Sequence, residues 1–183
     1  MFDFIFRRGN PTNDWHQPPD LKLTAELDMP SLNGIRLGAR FDQLSFLGRN
    51  DASHMGTLYY FSLGIGIDRA EDETFDGYVV VLDEHDQPCS PYRGTLLWKH
   101  GQLDLNQLTR DRLSEMFGEW YWIDTDADES IAFYEYPDYE MQIEMAPCGV
   151  VRRLLLTRCP LMSDPAQRDS YNVDKPWPPK FGS

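Results

Sequence analysis

Residues 139–145, Tyr-Glu-Met-Gln-Ile-Glu-Met, alternate apolar and polar side chains without a break. Successive strand side chains point to opposite faces, so this pattern predicts a strand with one wet face. Apolar, β-branched or aromatic runs at 57–62 (TLYYFS), 63–67 (LGIGI), 77–82 (GYVVVL), 131–136 (IAFYEY) and 149–156 (GVVRRLLL) predict further strands. The stretch 94–105, GTLLWKHGQLDL, predicts a hairpin that turns at KHGQ. Helix signals are few and short: FDQLSFLG at 41–48 and RDRLSEMFG at 110–118 each close on a glycine, the residue expected just past a helix end. The chain is therefore expected to be α+β, a predominantly antiparallel sheet with few short helices.

The two helix-glycine stretches look like copies. Arg40 meets Arg110, Phe46 meets Met116, Leu47 meets Phe117 and Gly48 meets Gly118. Three strand-like runs follow each, and the third pair opens on glycine, with Gly77 against Gly149, Val79 against Val151 and Leu82 against Leu154. This predicts two tandem α-β-β-β units. They differ most before the third strand, where DRAEDETFD stands in the first and only APC in the second, read as an acidic insertion at a hairpin tip. The expected division is an N-terminal arm over 1–30, a first unit over 31–92, a second unit with the linking hairpin over 93–159, and a proline-rich tail over 160–183. Trp15 precedes Pro18 and Pro19, and Trp177 directly precedes Pro178 and Pro179. Both tails are expected to dock on the body with the tryptophan as anchor.

A short helix closed by glycine and followed by antiparallel strands, given twice, resembles the β-lactamase inhibitor protein fold. Its repeat is also similar to that of the small outer-membrane assembly lipoproteins. The resemblance implies a sheet whose exposed face grips another protein.

Charge narrows the partners. In 183 residues, 30 Asp and Glu against 17 Lys and Arg give a net charge of −13. Such a surface repels phosphate backbones, which argues against nucleic acid, and attracts basic proteins. No apolar run reaches membrane-span length, and the run in MFDFIFRRGN is too short for a signal sequence, with its arginines behind it. Cys89, Cys148 and Cys159 are odd in number and widely spaced, which suits reduced thiols. A cytoplasmic protein without membrane association is expected.

Candidate chemistry is thin. Asp124, Asp126, Asp128 and Glu135 fall at calcium-loop spacing, but Glu129 occupies the position where the loop's turn requires glycine. Asp83, His85, Asp86 and Cys89 gather four ligand types in DEHDQPC, yet no second ligand pair answers them, so a charged turn is the expectation. His16, His54 and His100 stand singly, and GIG at 64–66 reads as a close backbone approach within a strand. No cofactor, metal or enzymatic activity is expected.

The informative surface is aromatic and acidic: EWYWIDTD followed by FYEYPDYE. Trp120, Trp122, Tyr134 and Tyr136 are candidate anchors for a protein partner, together with the acids Glu71, Asp72, Glu73 and Asp76. The same rings could instead form a second apolar layer against the tails. The functional expectation is a small acidic intracellular protein-binding module, of inhibitor, immunity or chaperone type, for a basic protein. The alternatives are an enzyme or small-molecule binder using the sheet concavity, and a domain of a larger assembly.

Overall fold

A computed structural model describes residues 10–83, 88–99 and 101–179. The chain begins with three short strands, β1 (Thr24–Glu26), β2 (Ser31–Leu32) and β3 (Ile35–Arg36), and a 3₁₀ helix over Phe41–Leu47. Next come β4 (Ala52–His54), β5 (Thr57–Tyr60), β6 (Ile65–Arg69) and β7 (Phe75–Val81). The predicted hairpin supplies β8 (Thr95–Trp98) and β9 (Gly101–Gln102), and helix α1 spans Arg110–Phe117. Then follow β10 (Trp122–Thr125), β11 (Ser130–Glu135), β12 (Glu140–Met145) and β13 (Val151–Thr157), and helix α2 (Pro165–Ser170) closes the set. The α+β class and the mainly antiparallel pairing match the periodicity. None of these helices is long and apolar enough to cross a membrane.

The larger sheet has eight strands in the order β10-β11-β12-β13-β7-β6-β5-β4, all antiparallel. Read outward from the central β7–β13 pair, both halves run through their strands in the same order. Each half holds four strands rather than three. The extra ones, β4 and β10, are short (ASH and WIDT) and lack the alternation that reveals their neighbours.

The loops correct the sequence alignment of the halves. Loops 70–74 and 146–150 are equal in length and build the same turn. Ala70 N–H donates to Thr74 O and Glu73 N–H to Ala70 O; Ala146 N–H donates to Val150 O and Gly149 N–H to Ala146 O. Each follows a register break, at Asp68/Arg69 and at Glu144/Met145. Phe41 N–H bonds Glu73 O at 2.9 Å as Arg110 N–H bonds Gly149 O at 3.0 Å. The counterpart of Gly149 is therefore Glu73, not Gly77. Both sit in left-handed backbone, at φ 64° and φ 85°. The acidic stretch is not an insertion, and Asp76 lies inside β7.

The smaller sheet, β3-β2-β1-β8-β9, is antiparallel except where β1 runs parallel to β8. It draws β1 from the stretch expected as an arm. One apolar core joins all layers. The large sheet contributes Ile65, Ile67, Tyr78, Val80, Met141, Ile143, Leu154 and Leu156 from a single face, the helical segments add Leu44, Leu47, Leu113 and Phe117, and the small sheet adds Ala25, Leu27, Leu32 and Leu96. Burying each large side chain stabilises the fold by about 1.5–3 kcal/mol. Directed bonds fix the layers: Tyr78 OH donates to Glu26 O at 2.6 Å, and Trp98 Nε1 donates to Met116 O at 3.0 Å.

Both tail tryptophans are half-buried. Trp15 lies 4.9 Å from the Phe41 ring, and nearby Thr12 Oγ1 donates to Asn50 Oδ1 at 2.6 Å. Trp177 Nε1 donates to Glu135 Oε2 at 2.9 Å. Gly64 shows the close approach expected of GIG. Its φ is 66°, and a Cβ there would stand 2.4 Å from Ser90 O. Gly64→Ala is expected to cost about 2–4 kcal/mol in urea unfolding, through strain plus backbone collision. Gly118→Ala meets no atom within 4 Å, so only its φ of 86° is penalised, at about 1 kcal/mol. Equal losses at the two sites would contradict the collision.

Candidate functional site

Helix α1 stops at Gly118, whose N–H donates to Ser114 O at 3.0 Å while its positive φ turns the chain away. Glu119 and Trp120 then cross the helix end, and Tyr121 N–H joins the sheet at Phe133 O, 2.8 Å away. Beside them the β11–β12 hairpin turns at Pro137-Asp138, closed by Tyr136 N–H to Tyr139 O at 2.9 Å. The rings of Tyr136 and Tyr139 stack at 4.4 Å and 16°. The end of β8 brings Trp98 and Lys99 to the same place. Between these elements lies a cleft of about 840 Å³.

The lining is aromatic. Phe117 packs edge-on between Trp98 (5.0 Å) and Tyr134 (5.8 Å), and Trp120, Tyr136 and Tyr139 complete the rings. Tyr134 is only 3% exposed, and its hydroxyl has no hydrogen-bond partner. Burial pushes the phenols of Tyr134, Tyr136 and Tyr139 up, that of Tyr136 to about 12, so all three are neutral at physiological pH. Charge comes instead from the carboxylates of Asp28, Glu119 and Asp138 at the lining. Two of the chain's own ammonium groups already sit on rings here: Lys99 Nζ is 5.4 Å from the Trp98 centroid and Lys175 Nζ is 5.8 Å from that of Tyr121. Cations on aromatic faces are thus the chemistry this cleft accommodates.

Beneath one wall lie two carboxylates, Glu135 and Glu140, directly opposite each other on β11 and β12. Their exposures are 1% and 0%. The alternation predicts Glu140 on the wet face. It points to that face, but the C-terminal segment covers it. Burial, then its hydrogen bond with Glu135, then the Glu135 charge push Glu140 up to about 8.

The structure brings Trp120, Tyr134 and Tyr136 together in the cleft and sends the other predicted residues elsewhere. Trp122 lies on the opposite side of the sheet, against Phe133 (4.6 Å) and Tyr171 (4.8 Å). Glu71, Asp72 and Glu73 are exposed on loop 70–74, where Glu73 pairs with Arg69 at 3.0 Å. Asp76 is half-buried and tied to Arg158 Nε at 3.0 Å. The register Glu140↔Thr157↔Gly77↔Asp68 puts that loop at the same sheet end as the cleft, three strands away from the Tyr136–Tyr139 turn.

The calcium spacing does not become a site. Asp124, Asp126 and Asp128 stand exposed around the β10–β11 turn, where Asp126 Oδ1 accepts the N–H groups of Asp128 and Glu129, while Glu135 is buried at the far end of β11. Among the described residues no three His, Cys, Asp or Glu side chains converge as metal ligands. His85, Asp86 and His100 lie outside the described residues. Cys89 is buried, whereas Cys148 and Cys159 are exposed, all unbridged. Sequence reasoning missed Trp98, Phe117, Tyr139 and Asp28 as cleft residues. Tyr139 stands in the aromatic and acidic stretch, the count of aromatics hinted at Trp98 and Phe117, and nothing marked Asp28.

No protein-family model and no curated protein matches the chain. Among solved structures, a DUF4309 family protein (YjgB) from Bacillus subtilis subsp. subtilis str. 168 is similar over 66% of this chain and 78% of that one. The two share 17% identity and superpose with a TM-score of 0.46. Likeness at that level bears on neither the site nor the function.

Proposed function

We propose that the protein is an acidic protein-binding module, of inhibitor, immunity or chaperone type, that takes a cationic segment of a basic partner into the aromatic cleft. The observation that carries this reading is the combination of stacked neutral rings, a carboxylate lining and lysine ammonium groups already seated on Trp98 and Tyr121. Interface anchors are typically aromatic and central, and cations over rings gain about 0.5–2 kcal/mol apiece. The net charge of −13 adds long-range attraction to any basic partner. The acidic loop 70–74, at the same sheet end, extends that attraction beyond the cleft.

We also read the two halves as copies of one helix-and-four-strand unit, on the shared turn, bulge and glycine geometry. In the second copy the edge of the sheet is opened into the cleft by the aromatic substitutions around α1 and the β11–β12 hairpin. Immobilised protein should retain a basic partner from lysate of its source, and less of it at moderate salt than at low salt. Trp120→Ala should lower that retention by about tenfold or more, since central aromatic anchors are worth about 2 kcal/mol. Retention unaffected by both salt and Trp120→Ala would refute the cleft as the binding site.

A further inference from the structure

We propose that the C-terminal segment 161–179 is a releasable wall of the cleft, held in place while the buried Glu140, opposite Glu135, keeps its proton and let go when Glu140 ionises. The geometry is specific. Gln142 Nε2 donates to Glu140 Oε1, Leu161 N–H to Glu140 Oε2 at 2.7 Å, Met162 N–H to Glu135 Oε1 at 3.2 Å, and Trp177 Nε1 to Glu135 Oε2 at 2.9 Å. All four oxygens thus meet neutral donors, and three of the four donors belong to the segment.

The charged and titratable groups around the pair are engaged elsewhere. Arg158 pairs with Asp76 of β7, and Arg168 donates to the carbonyls of Met162 and Ser163. Lys175 Nζ donates to Tyr121 O at 2.6 Å, while the Tyr121 phenol, its pKa raised by burial, donates to Lys175 O at 2.9 Å. Asp164 accepts the Ala166 N–H as the cap of α2. Among the described residues no Lys, Arg or His side chain forms an ion pair with either carboxyl group, so a proton on Glu140 is what lets the two stay buried side by side.

Beyond the acid pair the segment is anchored by the Tyr121–Lys175 hydrogen bonds, the Trp122–Tyr171 ring contact and one core side chain. Met162 is fully buried, but α2 buries no residue. Losing the proton turns the three donors' shared partner into two like charges in a site sealed from water. Burial sets Glu140 at about 8. A released segment leaves Glu140 in water at the ordinary carboxylate value, so release is favoured as pH rises towards 8 and gains nothing further above it.

Lys175 and Pro179 line the cleft. Release withdraws one lysine, uncovers the Tyr121 ring and leaves the cleft more negative. A basic partner would therefore bind the open form in preference, and Lys175 is its built-in competitor. That consequence rests on the binding function proposed above; the latch itself does not.

Proton–nitrogen correlation spectra of the full chain, without partner, report the latch through the Trp177 indole, assigned with Trp177→Phe. Between about pH 5 and about pH 8 the docked-to-released ratio should fall by up to about tenfold per pH unit. Glu140→Gln, a neutral isostere with the Gln142 amide turned to accept, should hold the indole docked to about pH 9. Glu135→Gln serves the same purpose if the first variant fails to fold. A wild-type indole that stays docked to about pH 9, or neutral variants that release with the wild-type profile, would overturn the proposal. A latch that titrates while no basic partner binds would leave this inference standing and remove the binding function.

Discussion

Tyr78→Ala is expected to unfold at a much lower urea concentration than the wild type, with a loss of about 3–5 kcal/mol. Tyr78 is fully buried at the centre of the large sheet, next to the β7–β13 seam, where it pairs with Leu156. Its ring lies 5.9 Å from that of Phe75, and its hydroxyl is the strap that ties the sheet to Glu26 of β1. Truncation removes the ring's contacts and leaves a cavity between the two sheets. Tyr78→Phe separates the two contributions, since it keeps the ring and loses only the hydrogen bond, for about 1–2 kcal/mol. Similar losses from both variants would mean that the strap rather than the packing holds the layers.

The second large effect is a fall in stability with rising pH. Glu140, raised by burial to about 8, binds a proton in the folded protein under conditions where the unfolded chain has already lost it. The folded state then holds more protons than the unfolded one, so stability decreases as pH rises from the ordinary carboxylate range to about 8, and levels off above that. At about 1.4 kcal/mol per unit, the expected loss between about pH 5 and about pH 8 is on the order of 3 kcal/mol. Urea midpoints across that interval measure it. Glu140→Gln should flatten the profile, and an unchanged slope in that variant would place the titrating group elsewhere. The lowered acids Asp42, Asp72 and Asp126 act in the opposite sense, but are fully exposed and titrate below this window.

The sequence made strands visible where one face is buried locally. The alternation of 139–145 gives β12, the paired glycines Gly48 and Gly118 give the helix ends, and the run around KHGQ gives the β8–β9 hairpin. It hid what depends on distant chain. Glu140 occupies a polar position of a correctly read alternation, yet becomes a fully buried carboxylate because a segment some twenty residues later covers that face. Glu73 adopts the left-handed turn that glycine marks in the other half, so matching glycine to glycine misaligned the two halves. The cleft was half legible. Trp120 and Tyr136 stand close in sequence to its walls, but Trp98 arrives from the linking hairpin and Lys175 from the tail, and no local pattern says that they meet.

The central claim is that the cleft receives a cationic segment. Its most direct test is to titrate the full chain with a synthetic peptide of alternating lysine and proline and to follow the five tryptophan indoles in proton–nitrogen spectra. The structure predicts saturable shifts at Trp98 and Trp120, which line the cleft, and none at Trp15, which packs against Phe41 outside that lining. Saturation should weaken with salt and disappear in Trp120→Ala. Shifts that never saturate, or that appear equally at Trp15, would contradict the claim and reduce the attraction to the general negative charge of the surface.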